Sequence, residues 1–398
     1  MIELINFILF NQDYNLPIAV LLSAIEFSKA FNRVNHNLII TKLADIGVPG
    51  WLLNIVMGFL QDRTLHVRFN GVTSEGKAMP GGGPQGTLLG LLLFLILINN
   101  CGFTNNSIEI GKEITKPKNK FQNSTLHTKY VDDLSIMEAI NLEEAMIPNP
   151  DRVRPEPYHA RLGQKLDPSI SKVYEQIKSI QSYATENGMK INHKKSKFMV
   201  FNPTLKYDFI PEYESEGYKI ETVEEMKILG LVVRNDLKWR SNTEGMIRKA
   251  YKRMWMIKRL KAYGANLQDM LEVYTKQIRC VLEYGVPVWN SSVTKEESYD
   301  IERVQKCFLH IVLGSQYLDY EYALKRTGLD SLKSRRLKLC TTFAQKSAKH
   351  PKFKHWFVPQ LKLNNTRSKK PLYKPPMYRL ERFNNSPIPY LTRLLNSK

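Results

Sequence analysis

The sequence contains few cysteines and no paired cysteine motif. Its 398 residues include four cysteines, which stand at positions 101, 280, 307 and 340. Because no two of them form a Cys-x-x-Cys pair, the sequence supports neither a zinc knuckle nor a disulfide framework. We therefore expect an intracellular, reducing compartment, in the cytoplasm or the nucleus.

Long hydrophobic runs are also absent. The run "LLGLLLFLILI" at 88–98 is too short to cross a bilayer. The first ten residues, "MIELINFILF", carry Glu3 where a secretory signal has a basic region, and they lack a small-residue cleavage site. The sequence thus predicts neither a membrane span nor a secreted protein.

Acidic residues are in the minority, because 38 Asp and Glu stand against 58 Lys and Arg, which gives a formal net charge of +20. A basic excess of this size is typical of proteins that bind nucleic acid, since each cation near a phosphate releases counterions. A ribosomal-type binder and an ordinary basic surface are the alternatives. The length and the 43% hydrophobic content allow two or three domains with their own cores.

The first motif is a predicted buried strand that ends on an acidic residue. The run "IAVLLSAIEF" (18–27) is continuously apolar up to Glu26, apart from one serine. The next stretch, "SKAFNRVNHNLIITKLADIG", predicts one helix, with Ser28 as its cap and Gly47 at its end. The predicted unit is strand, acidic residue, helix.

A hairpin and a glycine-rich loop follow this unit. Residues 63–80 alternate apolar and polar side chains and predict a hairpin that turns at Asn70–Gly71. The loop "PGGGPQG" (80–86) then leads into an apolar helix predicted over 87–98.

The stretch "TKYVDDLSIM" (128–137) places two carboxylates, Asp132 and Asp133, side by side at a predicted hairpin. By itself such a doublet is typical of a solvated hairpin tip. Prolines then indicate an irregular insertion over about 139–168, before a helix over about 169–187. The stretch "MKINHKKSKFMVF" alternates as a strand does.

The pattern changes near residue 236, where helices rich in Lys, Arg and aromatic residues begin. We therefore predict three parts. Residues 1–235 contain the strands and the insertion, and residues 236–340 form a helical domain. Residues 341–398 form a basic, proline-containing tail that we expect to be poorly ordered.

Glu26, the Gly-Pro-Gln-Gly loop and the Asp132–Asp133 hairpin follow one another in the order and contexts of a polymerase palm. Nucleotide transfer needs two divalent ions roughly 3.5 to 4 Å apart. Carboxylates on neighbouring strands hold such ions rigidly, and Mg²⁺ needs few of them when substrate phosphates supply the other ligands.

The sequence resembles the reverse transcriptases of non-LTR retrotransposons, of the jockey-like kind. The resemblance runs from residue 1 to about 315 and rests on "AIEFSKAFNRVNH", "GGGPQGTLLGLLLFLILIN", "YVDDLS", "NGMKINHKKSKFMVF", "MKILGLVVRNDLKW" and "VLEYGVPVWN" with "IERVQKCFLHIVLG". It implies an α+β fold. The expected parts are a right-hand polymerase palm, which is an antiparallel sheet with packed helices, and an all-helical thumb, with the fingers largely missing.

The resemblance implies a metal site and a proton donor. Asp132 matches the metal ligand of the family's hairpin, Asp133 matches the accessory carboxylate, and Glu26 stands where the family has its other metal-binding Asp. Two Mg²⁺ ions are the implied cofactors, with Mn²⁺ as a substitute. Lys195 corresponds to the lysine that protonates the pyrophosphate leaving group, and a solvated strand edge is its alternative interpretation.

Further positions match the family's nucleotide-binding and primer-binding parts. Phe31 matches the aromatic residue that excludes a 2′-hydroxyl, and plain helix core is its alternative. Leu229–Gly230 resembles the primer-gripping hairpin, and an ordinary turn is its alternative. The positions that match nucleotide and template contacts are Phe31, Gly83, Pro84, Gln85, Gly86 and Tyr130.

The predicted thumb begins with a helix that has an apolar and a basic side. Its apolar residues recur three or four positions apart and predict a core face; they are Ile247, Ala250, Met254, Ile257 and Leu260. The resemblance implies that its basic residues contact the template–primer backbone, and a solvated basic face is the alternative. These residues are Arg248, Lys249, Lys252, Arg253, Lys258 and Arg259.

Two departures from the family pattern weaken the predicted activity. Glutamate at position 26 moves the carboxylate outward by roughly 1.5 Å, whereas productive geometry tolerates about 0.5 Å. Asn32 replaces the Asp that usually follows Phe31.

Only about 25 residues precede Glu26, so we expect the basic fingers segments and an endonuclease domain to lie outside this chain, as in an N-terminally truncated copy.

Three hypotheses follow. The first is an RNA-directed DNA polymerase, weak or inactive, whose partners are an RNA template, a DNA primer and deoxynucleoside triphosphates, with no membrane partner. The second is a catalytically dead remnant that still binds nucleic acid. The third is a maturase or an RNA-dependent RNA polymerase, which the segment "LEYGVPVWN" and Phe31 disfavour.

Overall fold

The structure is a computed structural model. It describes residues 1–79, 81–84, 86–99, 101, 124–130, 133–142, 164–165, 171–202, 209–211, 213–215, 217–360 and 372–397. The described residues between 17 and 223 form one compact unit. Residues 1–16 and those from 224 onward form the other.

The first unit is built from strands with helices packed against them. Its helices are α2 (His36–Asp45), α3 (Gly50–Leu60), α4 (Leu88–Ile98) and α5 (Lys172–Glu186), while α1 (Ile2–Gln12) belongs to the second unit. Its strands are β1 (Ile18–Ile25), β2 (Thr64–Leu65), β3 (Arg68–Phe69), β4 (Val72–Thr73), β5 (Lys77–Ala78), β6 (Thr125–Tyr130), β7 (Asp133–Asn141), β8 (Gln164–Lys165), β9 (Lys197–Phe201), β10 (Phe209–Ile210), β11 (Glu214–Ser215), β12 (Tyr218–Lys219) and β13 (Glu221–Thr222).

The main sheet has five strands in the order β13-β9-β1-β7-β6. β1 is its central strand and pairs antiparallel with β7 on one side and with β9 on the other. Seven of its eight residues are buried, which explains why the run is apolar on both of its faces. Phe94 of α4 and Ile177 of α5 belong to the same buried cluster as residues of β1, so these helices pack on the sheet.

The helix predicted from Ser28 is interrupted in the structure. Lys29 adopts a left-handed conformation with φ 51°, and a short 3-10 helix covers Ala30–Arg33. Val34 is extended, and the side chain of Asn35 then caps α2 by accepting from the backbone N–H groups of Asn37 and Leu38. An asparagine that caps a new helix is a stronger local signal than continued apolar spacing, so the prediction of one helix capped by Ser28 was wrong.

Other local predictions are confirmed. The hairpin of residues 63–80 turns at Asn70–Gly71, where both residues have positive φ. The helix predicted over 87–98 is α4, and the helix predicted over about 169–187 is α5.

The predicted insertion begins later than 139, because β7 continues to Asn141. Residues 143–163 lie outside the described part of the chain.

The second unit is mainly helical and also contains one hairpin. The hairpin consists of β14 (Glu225–Ile228) and β15 (Leu231–Arg234). The helices after it are α6 (Arg240–Ala262), α7 (Leu267–Val273), α8 (Cys280–Leu282), α9 (Val286–Trp289), α10 (Lys295–Leu313), α11 (Tyr320–Thr327), α12 (Leu332–Lys349), α13 (Glu381–Asn384) and α14 (Pro387–Asn396), with a π-helical turn at Tyr274–Arg279. The mixed sheet with packed helices and this helical unit agree with the predicted palm and thumb.

The two units group the chain differently from the predicted domains. α1 packs against α13 and α14, within the region predicted to be a poorly ordered tail. The carboxylate of the buried Asp13 accepts hydrogen bonds from the backbone N–H groups of Arg379 and Leu380. The apolar start of the sequence is therefore the core of a helical unit that also includes described residues near the carboxyl end.

Among the described residues, no helix combines the length and the apolar character that crossing a membrane requires.

A buried carboxylate joins the sheet to α5. Glu138 of β7 is fully buried and accepts hydrogen bonds from Ser171 Oγ at 2.8 Å, from the Lys172 N–H at 3.1 Å and from the Val173 N–H at 3.2 Å. These donors lie at the start of α5, where backbone N–H groups have no partner within the helix. Burial raises the pKa of Glu138, and the three hydrogen bonds oppose that shift.

We expect Glu138→Ala to destabilise this unit by about 2 to 3 kcal/mol, because it leaves buried donors unsatisfied. The free energy of unfolding from urea titration measures the effect. Glu175→Gln, at an exposed position of the same helix, is the control and should change stability by no more than about 0.5 kcal/mol. Equal effects of the two substitutions would contradict the capping role of Glu138.

Candidate active site

The site begins where the central strand ends. Glu26 follows Ile25, the last residue of β1, and Ile25 pairs with Leu134 of β7. Asp133 directly precedes Leu134, so Glu26 and Asp133 each adjoin one member of the last residue pair of this ladder. The backbone of Glu26 is fixed on its other side, since its N–H donates to Ser196 Oγ at 3.3 Å and its carbonyl accepts from the Asn192 N–H at 2.7 Å.

Glu26 forms an ion pair with Lys195. The Lys195 Nζ lies 2.5 Å from Glu26 Oε1, and the two side chains are 61% and 33% exposed. Lys195 lies in the turn that precedes β9, in which the N–H groups of Lys195 and Ser196 donate to the carbonyl of Asn192. The structure therefore brings together two residues, 169 positions apart, that the sequence analysis had assigned to different roles.

The hairpin with the acidic doublet forms as predicted. β6 and β7 pair antiparallel, with Tyr130 opposite Asp133, so only residues 131 and 132 join the strands. Tyr130 and Asp133 are both exposed. Asp132, the predicted principal metal ligand, lies outside the described residues, and its closeness to Glu26 remains a prediction. The adjacency of the strands that lead to both residues is established.

The described residues do not by themselves form a metal site. Within the ranges that the structure describes, no group of three or more His, Cys, Asp or Glu side chains could hold a metal ion. Glu26 and Asp133 nevertheless offer two carboxylates, each next to a member of the last β1–β7 pair. That donor set fits Mg²⁺, which is bound by one or two carboxylates together with waters and substrate phosphates.

Phe31 and the glycine-rich loop form a packed unit beside the central strand. The Phe31 ring stacks on Phe94 of α4, with centroids 4.3 Å apart. The Gly83 N–H donates to the Phe31 carbonyl at 2.7 Å, and the Gly82 N–H donates to the Val34 carbonyl at 2.9 Å. Phe31 is half-buried, so the core interpretation holds for one part of the ring and leaves the other part available.

The loop depends on glycine at two positions. Gly82 has φ +89°, and a Cβ there would lie 3.3 Å from the carbonyl oxygens of Phe31 and Asn32. A Cβ on Gly90 would lie 2.1 Å from the Pro84 carbonyl oxygen, so the loop can approach α4 only if this position is glycine. Gln85 lies outside the described residues, and Gly86 has φ +85°.

Two residues that the sequence analysis missed hold the same loop. His36 Nε2 lies 2.9 Å from the Gly82 carbonyl oxygen, and Arg63 Nη1 donates to that oxygen at 3.3 Å. The sequence signal for His36 was its position directly after the capping Asn35, at the end of the motif "AIEFSKAFNRVNH". Arg63 carried no sequence signal, because its role depends on where the hairpin of residues 63–80 starts.

Lys129 connects the acidic hairpin to the apolar helix. It directly precedes Tyr130, and its Nζ donates to the carbonyls of Ile98 at 3.2 Å and Asn99 at 2.8 Å, at the carboxyl end of α4. Burial lowers the pKa of Lys129 to about 8. A cation at this end of a helix satisfies carbonyls that have no partner within the helix.

In the second unit, the predicted primer-gripping residues form a tight turn. Leu229 and Gly230 join β14 to β15 and have φ angles of 46° and 84°. Two consecutive positive φ angles are typical of a two-residue type I′ turn. The hairpin is therefore present, and its contact with a primer remains a prediction.

The basic residues of α6 lie away from its buried face. Ala250, Met254 and Ile257 are buried as predicted, whereas Ile247 and Leu260 are half-buried. Arg253 is half-buried and donates to the carbonyl of a residue in the π-helical turn. The other predicted backbone-contacting residues are exposed: Arg248, Lys249, Lys252, Lys258 and Arg259.

The solved structures that match this chain include distant ones. Apo telomerase from Candida tropicalis matches with a TM-score of 0.39 and 13% identity, over 87% of this chain and 54% of that chain. Telomerase from Candida albicans, in complex with a TWJ fragment of telomeric RNA, matches with a TM-score of 0.35 and 12% identity, over 88% of this chain and 52% of that chain.

Sequence comparisons gave a family and two relatives. The model of the reverse transcriptase (RNA-dependent DNA polymerase) family matches residues 12–233. The probable RNA-directed DNA polymerase from transposon BS of Drosophila melanogaster is 20% identical over 269 residues, which are 67% of this chain and 26% of the relative. The RNA-directed DNA polymerase from mobile element jockey of Drosophila melanogaster is 27% identical over 113 residues, 28% of this chain and 11% of the relative.

The matched regions therefore span about a quarter or less of the length of these curated relatives. The family match covers more than half of this chain, and it includes the central strand, the glycine-rich loop, the acidic hairpin and the Glu26–Lys195 pair. The relatives support the resemblance to the jockey-like reverse transcriptases of non-LTR retrotransposons, and the chain belongs to the reverse transcriptase family.

Proposed function

We propose that this chain carries the palm and thumb of an RNA-directed DNA polymerase, which adds deoxynucleotides to a primer 3′-hydroxyl on an RNA template. The observation that carries the proposal is the meeting of Glu26 and Lys195 beside the acidic hairpin, at the end of the central strand. Nucleotide transfer needs carboxylates and a lysine close together. Negative charge develops on the transferring phosphate, and the leaving pyrophosphate takes a proton from a donor.

The acidic residues would hold the cofactor. Glu26, Asp132 and Asp133 are the candidate ligands for two Mg²⁺ ions. When bound, such ions lower the pKa of the attacking hydroxyl and neutralise the charge on the transferring phosphate. The strand pairing supports this assignment, since Glu26 follows Ile25 and Asp133 precedes Leu134, the last pair of the adjacent strands β1 and β7.

Lys195 is the candidate proton donor for the leaving pyrophosphate. Its ion pair with Glu26 holds the ammonium group at the site. An incoming triphosphate offers stronger anionic acceptors than one carboxylate, so the lysine can exchange Glu26 for phosphate oxygens without leaving the site.

The remaining predicted residues would position the substrates. Phe31 would pack under the sugar, and the Gly83–Gly86 loop together with Tyr130 would contact the nucleotide and template. Leu229–Gly230 would contact the primer, and the basic face of α6 would follow the backbone of the template–primer duplex. The packing of Phe31 against Phe94 supports its assignment, because a rigid ring is what steric selection against a 2′-hydroxyl requires.

A second candidate function is a nucleic-acid-binding remnant without catalysis. The observation that favours it is Glu26 itself, whose longer side chain is already engaged by Lys195. If the carboxylate cannot reach the productive position, the basic surfaces would still bind nucleic acid through phosphate contacts.

Primer extension on an RNA template, with Mg²⁺ or Mn²⁺, separates the two functions. We expect Glu26→Asp to raise the extension rate by up to about 100-fold, since a displacement of about 1 Å in a reacting group costs that much. Asp132→Asn, alone and combined with Glu26→Asp, should abolish extension. Absence of any Asp132-dependent extension, even in the Glu26→Asp variant, would contradict the polymerase, and retained salt-sensitive template binding would then support the remnant.

Substitutions of Lys195 test its role as a proton donor. We expect Lys195→Met to lower kcat by about 100-fold or more, the usual contribution of a general acid. Lys195→Arg should also be slow, because arginine keeps the charge but does not release its proton. Single-turnover kinetics in the Glu26→Asp background measure both effects, and Lys194→Met, at the exposed neighbouring position, is the control. Full activity of Lys195→Arg would contradict proton donation.

The basic face of α6 predicts a salt-dependent duplex affinity. Replacing Arg248, Lys252 and Arg259 by alanine should weaken primer–template binding for all sequences and reduce the slope of log K against log salt by about one unit for each charge removed. Fluorescence anisotropy at several salt concentrations measures both. The control replaces the exposed lysines of α11 and α12 at positions 325, 333 and 338; an equal loss in the two variants would contradict a specific contact face.

A further inference from the structure

The turn at Leu229–Gly230 belongs to a hairpin that is well anchored along its strands. Ile228, Leu231 and Val233 are buried. The Val232 N–H donates to Asn242 Oδ1 at 3.1 Å, and Asn242 is itself buried in α6. These contacts hold the strands of the hairpin on the helical unit and involve neither residue of the turn.

The tip of the hairpin has a contact of its own. The Tyr284 hydroxyl donates to the Leu229 carbonyl at 2.7 Å. The ring of Tyr284 lies over Gly230, where a Cβ would meet ring and hydroxyl atoms at 3.1 Å. A carbonyl at an exposed two-residue turn can be solvated by water at little cost. Here it is held by a side chain that comes from 55 positions further along the sequence.

The position of Tyr284 is fixed by its neighbours. Its carbonyl accepts from Trp289 Nε1 at 2.9 Å, and Trp289 is fully buried. Gly285 has φ +66°, and a Cβ there would lie 2.9 Å from a methyl group of Leu231. Glu283 pairs with two arginines, Arg279 and Arg335. The segment "EYGVPVW" is thus a rigid support whose aromatic side chain is directed to the turn.

We infer that Tyr284 is a positioning residue for the primer 3′ end, which acts by fixing the tilt of the Leu229–Gly230 turn. The inference rests on the proposed function, because it takes the turn as the primer contact. The strands alone leave a two-residue tip able to tilt about its base. Fixing one of its carbonyls and covering its glycine removes that freedom, and a primer end needs placement within about 0.5 Å.

Tyr284 is 54% exposed, which distinguishes a positioning role from a core role. Removing only its hydroxyl keeps the ring and its packing, so Tyr284→Phe should lower the melting temperature by no more than the few degrees that correspond to one hydrogen bond. The same substitution should free the Leu229 carbonyl and loosen the tip. A purely structural tyrosine would show the opposite result, with a larger stability loss and no specific effect at the turn.

The first test measures the turn directly by hydrogen exchange of the whole chain. We expect Tyr284→Phe to raise exchange at residues 228–231 by about 2- to 10-fold, the factor that corresponds to one net hydrogen bond. Tyr263→Phe is the matched control, because Tyr263 is 81% exposed in the same unit. Unchanged exchange at the turn in Tyr284→Phe would overturn the inference.

The second test measures the primer. In the Glu26→Asp background, Tyr284→Phe should raise the KM for primer–template by about 2- to 10-fold, without changing the KM for the nucleotide. If no variant extends a primer, the catalytic proposal fails. The test is then equilibrium binding of an RNA–DNA primer–template, and Tyr284→Phe should weaken its affinity by the same 2- to 10-fold factor. A primer affinity equal to that of Tyr263→Phe would then reject the positioning role.

A double-mutant cycle tests whether Gly230 and Tyr284 act together in primer binding. Gly230→Ala is expected to weaken primer binding, because its new Cβ meets the Tyr284 ring. Because Gly230 has φ +84°, alanine there is strained whatever residue stands at position 284. Tyr284→Ala removes only the conflict with the ring, so the loss in the double variant should be smaller than the sum of the two single losses. Additive losses in the cycle would show that the two positions act independently, and that outcome would overturn the inference.

Discussion

The pairing of β1 with strands on both sides is the constraint on which the site depends. Because the side-chain direction alternates along a strand, a shift of one residue in either register would turn Glu26 to the other face of the sheet. The register with β7 brings Asp133 beside Glu26, and the turn before β9 brings Lys195. The apolar run of β1 has no solvent-facing side to allow such a shift, so the buried core sets the position of the charged groups at its end.

The loop that contains Gly83 illustrates a second dependence. Three sets of contacts fix its backbone. The carbonyls of Phe31 and Val34 accept hydrogen bonds from its N–H groups. His36 and Arg63 contact the Gly82 carbonyl, and the Pro84 carbonyl lies close to Gly90. None of these contacts uses a side chain of the loop itself. The loop can therefore present its backbone to a ligand while its shape is determined by residues behind it.

The sequence was sufficient to predict the elements whose signals are local. The strand ending at Glu26, the Asn70–Gly71 turn and α4 each follow from apolar patterning or turn chemistry within about a dozen residues. The break after Ser28 was missed because a left-handed Lys29 has no sequence signature. The Glu26–Lys195 pair, the Glu138 cap and the contact of Tyr284 join residues far apart in sequence, and such pairings follow only from the three-dimensional register. Residues 1–16 were grouped with the strands for the same reason, since α1 contacts α9, α13 and α14, which lie far along the sequence.

The contact of Asp13 with Arg379 and Leu380 has a consequence for synthesis of the protein. These residues are 366 and 367 positions apart, so α1 leaves the ribosome long before the segment that covers it. The strand-rich unit closes with residue 223 and can fold while the rest is being made. The contacts of Asp13 with Arg379 and Leu380 therefore form only after residues 379 and 380 have been synthesised, when the strand-rich unit is already complete.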